Sequence, residues 1–214
     1  MSTKKRICGL LLGLAAMSAP VAYAATVTRL VVSGTTANLN LVTSIPGSRP
    51  DCTIDVWVSL MAAAQVQRST TSTASTGAVG FVQRVDNCTD DFEFGSFNVS
   101  LPSSAFSSGS GAATLNATIP VVMGSFGPAG GTVNRTLVAT LRYTNVENNS
   151  VASRSFGRVR SPGLTIITRG RSIFNAASVS GQLTLDGRNL VTGQAAIDSG
   201  IETASSANVE ITRS

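Results

Sequence analysis

Cys52-Thr53-Ile54-Asp55-Val56-Trp57-Val58-Ser59-Leu60 is the stretch whose reading decides the fold. Cys52, Ile54, Val56, Val58 and Leu60 alternate with Thr53, Asp55, Trp57 and Ser59, the period-2 pattern of a strand with one buried face. Cys52 falls on the apolar side, which predicts that its bridge lies inside the core and ties two strands.

Similar patterns recur on both sides of this strand. Val27–Val32 and Ala37–Thr43 read as strands joined by a Ser33-Gly34-Thr35 turn, and Val79–Val85 leads into Cys88. Phe97, Val99 and Leu101 alternate out of phase with Phe92 and Phe94, so Gly95 is read as a bulge that resets the register. Leu115–Met123 is a strand moved towards an edge by Pro120. Val133–Tyr143 follows, then Ser155–Arg160 and Leu164–Arg169 around a Ser161-Pro162-Gly163 turn. Ala177–Leu185 runs to Asp186-Gly187, a hairpin dipeptide, with Val191–Ile197 expected to return from it. Ala207, Val209 and Ile211 close the series, while Ser69–Thr76 and Ser103–Gly111 read as loops. About ten short antiparallel strands in residues 25–214 predict one all-β domain, a β-sandwich or an irregular barrel.

Residues 1–24 stand apart from this pattern. Lys4, Lys5 and Arg6 precede an apolar run from Ile7 to Met17, and Ala22-Tyr23-Ala24 is a small-residue cleavage motif. That order is a signal peptide cut near Ala24, which predicts export to the periplasm, cell surface or extracellular space. The run is too short to span a bilayer, which takes about 20 apolar residues. Removing it leaves no lysine, no histidine and only Cys52 and Cys88. In an oxidising compartment these two should form a disulfide, stabilising the fold by about 3–4 kcal/mol in the chain-entropy model.

The mature chain carries 13 arginines against 11 acids, a net +2 rather than the +5 of the full sequence, which argues against nucleic acid as a partner. The charge is uneven. Between Asn148 and Leu185 there is no acid, and Arg154, Arg158, Arg160, Arg169 and Arg171 contribute +5. On a hairpin, Arg158 and Arg160 share a face of one strand, and Arg169 and Arg171 share a face of the other. Such a ribbon could meet phosphate or carboxylate groups on a cell surface or polymer through the planar arginine fork. The bland alternative is a solvated edge whose charges discourage sheet-to-sheet pairing.

Without His or Lys there is no Ser-His, Cys-His or Ser-Lys pair and no Schiff base, so no enzyme is expected. The remaining catalytic route is a carboxylate pair of the glycan-hydrolase type, and no linear pattern picks one out. Asp86, Asp90, Asp91 and Glu93 form the densest acidic cluster. Calcium could use such oxygens, but the spacing matches no EF-hand, and a solvated acidic turn is the default. Trp57, at an outward position, is the single candidate aromatic platform. No cofactor is expected. An outer-membrane barrel would fit length and alternation, but aromatics are too few for two interfacial girdles.

Two resemblances add to this. Gly77-Ala78-Val79-Gly80-Phe81-Val82-Gln83-Arg84-Val85-Asp86-Asn87-Cys88 resembles the segment around the second cysteine of chaperone–usher fimbrial subunits, and Ala207, Val209 and Ile211 resemble their terminal zipper. That likeness implies self-association into a pilus, with Ala25–Val32 donating a strand to a neighbour; Arg213 stands where the family has tyrosine. The latter half, from Thr136–Tyr143 through Arg154–Gly163 and Arg171–Gly181 to Leu185-Asp186-Gly187, resembles uncharacterised secreted bacterial all-β proteins. It implies compartment and fold, and no activity. The leading expectation is a non-enzymatic surface or secreted binding or structural module.

Overall fold

The computed structural model describes residues 25–126 and 130–213. The expected export segment, residues 1–24, lies outside them, as do residues 127–129. The described chain is all β, as its alternation predicts, with ten strands in one antiparallel sheet, one 3-10 turn at Ser103–Ala105 and the Cys52–Cys88 disulfide. The strands are β1 (Ala25–Pro46), β2 (Thr53–Arg68), β3 (Ser72–Asp86), β4 (Asp91–Ser100) and β5 (Phe106–Gly109). β6 (Ala112–Ser125), β7 (Gly131–Ser161), β8 (Leu164–Leu185), β9 (Arg188–Asn189) and β10 (Ala196–Arg213) complete the set.

The pairing order β1-β2-β3-β4-β6-β7-β8-β10 returns to β1, because β10 is hydrogen-bonded to both β8 and β1. A single sheet that closes on itself is the barrel, not the sandwich, of the two expected architectures. The thinnest seam is between β4 and β6, which share only Glu93↔Ser125 and Phe94↔Gly124. β5 and the buried Ala105 and Phe106 lie beside that seam. Pro120 lies in the part of β6 that pairs with β7 alone, so its missing N–H can face the unpaired side.

The alternation sorts residues by polarity. Leu39, Leu41, Val56, Leu60, Leu115, Ile119, Leu137 and Leu183 are fully buried inside the ring, each contributing roughly 1.5–3 kcal/mol by leaving water. Asn40, Thr114, Asn116, Thr118 and Thr140 face outward and are exposed. A membrane barrel has the opposite arrangement, an apolar outer band and a polar lumen. No helix among the described residues is long and apolar enough to cross a membrane.

Several local expectations are corrected. The strands are not uniformly short, since β1 and β8 span 22 residues each and β7 spans 31. No turn breaks β1 at Gly34. Gly34 is paired on both sides within the strand, and the position takes glycine because a Cβ there would come 2.7 Å from the Ala64 carbonyl oxygen. Gly95 marks no bulge, as β3 and β4 pair without a shift from Gly77↔Ser100 to Asp86↔Asp91. Phe92 and Phe94 face outward because Glu93 takes the inward position between them.

Val191–Ile197 does not return as a strand of its own, and only Ala196 and Ile197 are extended, as the start of β10 paired with β1. The chain turns through Thr192–Leu190 and Ala195–Thr192 backbone hydrogen bonds and drops Leu190 into the core, fully buried. The expected loops at Ser69–Thr76 and Ser103–Gly111 are largely ordered into β3, the 3-10 turn and β5. The disulfide pairs as expected, Cα to Cα 5.3 Å. It lies outside the core, however. Both cysteines are half-buried just beyond the terminal Ile54↔Asp86 pair of β2 and β3.

Candidate anion-binding face

The closed, packed part of the barrel ends near Ala37, Ala62, Tyr143 and Ile201. Beyond it β3, β2, β1, β10, β8 and β7 continue as one open sheet, in which residues 150–161 of β7 pair only with β8. Cross-strand partners in an antiparallel sheet put their side chains on the same face. Ala37 and Ile201 are buried partners, and register continues without a break along β1, β10 and β8 into the open sheet. The inward face of the barrel therefore continues as one particular face of this arm.

That face carries the arginines in four rows. Arg154–Arg171–Ser205–Ser33 is followed by Phe156–Arg169–Ala207–Val31, the latter extended to Arg68 of β2. Arg158–Ile167–Val209–Arg29 and Arg160–Thr165–Ile211–Val27 come next. All four arginines singled out from the sequence, Arg158, Arg160, Arg169 and Arg171, thus share one face. Sequence reasoning placed them only in two pairs, counted Arg154 towards the local charge alone, and did not include Arg29 or Arg68.

The two-residue hairpin turn puts the pairs on one face, and a register shift lower in β7 accommodates that pairing to the barrel. Asn145 pairs with Ala177 and Ser150 with Asn175, so β7 has three more residues than β8 across the same interval. An odd excess reverses the phase of β7, turning its even-numbered residues onto the face that its odd-numbered Leu137, Ala139, Leu141 and Tyr143 occupy below. The Pro162-Gly163 turn, with Gly163 at φ 75°, closes the hairpin between Ser161 and Leu164.

The electrostatics of the face are one-sided. Glu202 and Glu210 alternate onto the opposite face, and no acid is in the four rows. Among the described residues the ion pairs involve only Arg84 and Arg135, so the arm arginines are unmatched. The guanidinium of Arg169 lies 6.0 Å from the centroid of the Phe156 ring, a cross-strand cation–π contact. The opposite face has a shallow depression of about 270 Å³ among small residues, Gly34, Ala204, Gly170 and Ser155 included.

At the other end of the barrel the acidic cluster is divided. Asp86 and Glu93 are buried, which corrects the expectation of a solvated turn for these two. Arg84 reaches Asp86 at 2.6 Å and Glu93 at 3.2 Å, and Arg135 reaches Glu93 at 2.6 Å and Asp186 at 2.7 Å. Asp90 stays in the turn, and Asp91 opens β4, accepting from the Thr89 hydroxyl. Among the described residues no three His, Cys, Asp or Glu side chains come together as a metal site would require.

The carboxylate-pair route meets the same arrangement, because the two buried acids are each held by arginine. Asp55, nearby, accepts from Ser44 and Asn87, and these hydrogen bonds hold its carboxyl below the usual range. Tyr143 is fully buried with its hydroxyl unpaired, and burial pushes its phenol up. Trp57 faces outward beside Val42 and Gln83 and is half-buried.

A fimbrial subunit would leave a groove for a donated strand. Here Ala25–Val32 is paired to β10 along its whole length, Ala25↔Arg213 through Val32↔Ser206. In comparison with known proteins, no family model and no curated protein matches the chain.

Proposed function

We propose that this protein is an exported, non-enzymatic binding module whose arm meets phosphate or carboxylate groups on a cell surface or polymer. One observation carries the reading: Arg154, Arg158, Arg160, Arg169 and Arg171 converge with Arg29 and Arg68 on one acid-free face. A merely solvated edge needs charges only on the strand with the open edge. These lie on β7, β8, β1 and β2, four of five successive strands, interior strands of the sheet included. The absence of His from the sequence, and the arginine-bound state of the buried carboxylates, support a role without catalysis. The Cys52–Cys88 disulfide is compatible with export.

The test replaces Arg158, Arg160, Arg169 and Arg171 together by Ser and measures binding to dextran sulfate in low salt. All four side chains are exposed, so the fold should persist, as circular dichroism would report. The wild type should bind with a steep salt dependence and the variant at least tenfold more weakly. Equal binding by the two proteins would reduce the arginine face to a solvated edge.

A further inference from the structure

The arginine face has a second chemical character that an anion alone does not use. Ile167 and Val209 lie side by side between Arg158 and Arg29, and Ile211 and Val27 continue the row from Arg160. Phe156 is 67% exposed and Val27 55% exposed on this same face. Among the described residues no other element covers it, because the sheet is a single layer beyond the closed barrel. A soluble polyanion would gain nothing from these apolar groups, whereas the headgroup region of a bilayer offers phosphates and acyl-chain surface together.

We propose that the arm docks flat on an anionic lipid bilayer, with Phe156, Ile167, Val209, Ile211 and Val27 facing the acyl boundary and the arginines reaching the lipid phosphates. The inference rests on the arginine face being the anion-contacting surface, and it names the partner as lipid rather than soluble polymer. Arginine suits the arrangement, since its stem can lie along apolar surface while the guanidinium stays at the polar layer. Charge complementarity sets the orientation. Glu202 and Glu210 lie on the reverse face, so docking by that side would bring carboxylates against phosphates. Each arginine near such a surface raises partitioning by roughly fivefold, and the apolar centre adds binding that salt does not screen.

The experiment uses the chain from residue 25 onward and a Phe156→Trp variant, a change at an exposed position. Vesicles of phosphatidylcholine alone are compared with vesicles containing 30% phosphatidylglycerol (about physiological salt), the phosphatidylglycerol carrying brominated chains. Binding is expected only with phosphatidylglycerol, with quenching of the introduced indole's fluorescence well beyond that of Trp57 in the wild type. Ile167→Ser with Val209→Ser should weaken vesicle binding by about tenfold and leave dextran sulfate binding unchanged.

Other outcomes overturn the proposal. Dextran sulfate binding without vesicle binding removes the lipid and keeps the arginine reading. Vesicle binding without added quenching at position 156 removes the docking face. Failure to bind either partner removes both readings.

Discussion

Glu93 occupies an inward position where the alternation of β4 would otherwise put a leucine or valine. It is 5% exposed, and its carboxylate accepts from Arg84 and from both Nε and Nη2 of Arg135. Removing that charge would leave two largely buried guanidinium groups underpaired, and a broken buried pair is costly while an intact one is nearly neutral. Glu93→Gln should therefore lose about 3 kcal/mol in urea denaturation with the barrel otherwise intact; a loss under about 1 kcal/mol would show the network to be solvated. Half of this network was legible in the sequence. Arg84 and Asp86 share the even phase of Ala78 and Val82, and Arg135 shares the phase of Leu137, so each could be placed inward. Their pairing could not be read, because it depends on which strands meet across the barrel end. The aromatic residues Phe92 and Phe94 misled by appearing to set the phase.

At the scale of elements, the long strands are the feature that single-sequence reading divides. Gly34, flanked by Ser33 and Thr35, has the composition of a turn, yet it sits inside a 22-residue strand. What decides is a carbonyl on the neighbouring strand, which no local pattern reveals. Gly34→Ala should destabilise the protein by about 2 kcal/mol, because backbone at Ala64 must move. Gly157 is the matched control in the same arm, as a Cβ there would meet only the Thr168 Cβ at 3.8 Å. Gly157→Ala should be neutral or stabilising by up to about 1 kcal/mol. Paired thermal melts check both, and equal effects would contradict the close approach in β1. The arginine hairpin shows the complementary case. Its turn and the pairing within each strand were readable, but the meeting of that hairpin with β10 and β1, which brings in Arg29, depends on long-range pairing that no local pattern reveals.

For the molecule as a whole, all-β class and disulfide partners follow from alternation and cysteine arithmetic. Closure does not, since it requires the last strand to reach the first, and no residue pattern marks that pairing. The disulfide closes a separation of 36 residues that the β2–β3 hairpin already brings together. Reduction should then lower the unfolding free energy by about 3–4 kcal/mol without changing the β-sheet signal in circular dichroism. Loss of that signal on reduction would mean that the barrel needs its staple to form.

The hairpin turn between β7 and β8 also constrains what kinds of change the protein can tolerate. Most surface segments accept a gain or loss of one residue with little consequence. Here a single-residue insertion or deletion between Asn145 and Ser150 would likewise be absorbed in an interval that is already irregular, because the two-residue Pro162-Gly163 turn fixes which side chains of β7 and β8 share a face. Length variation is thus confined at the turn instead, where one added residue would slip β7 against a β8 held by β10 and carry Arg154, Arg158 and Arg160 to the side bearing Glu202 and Glu210.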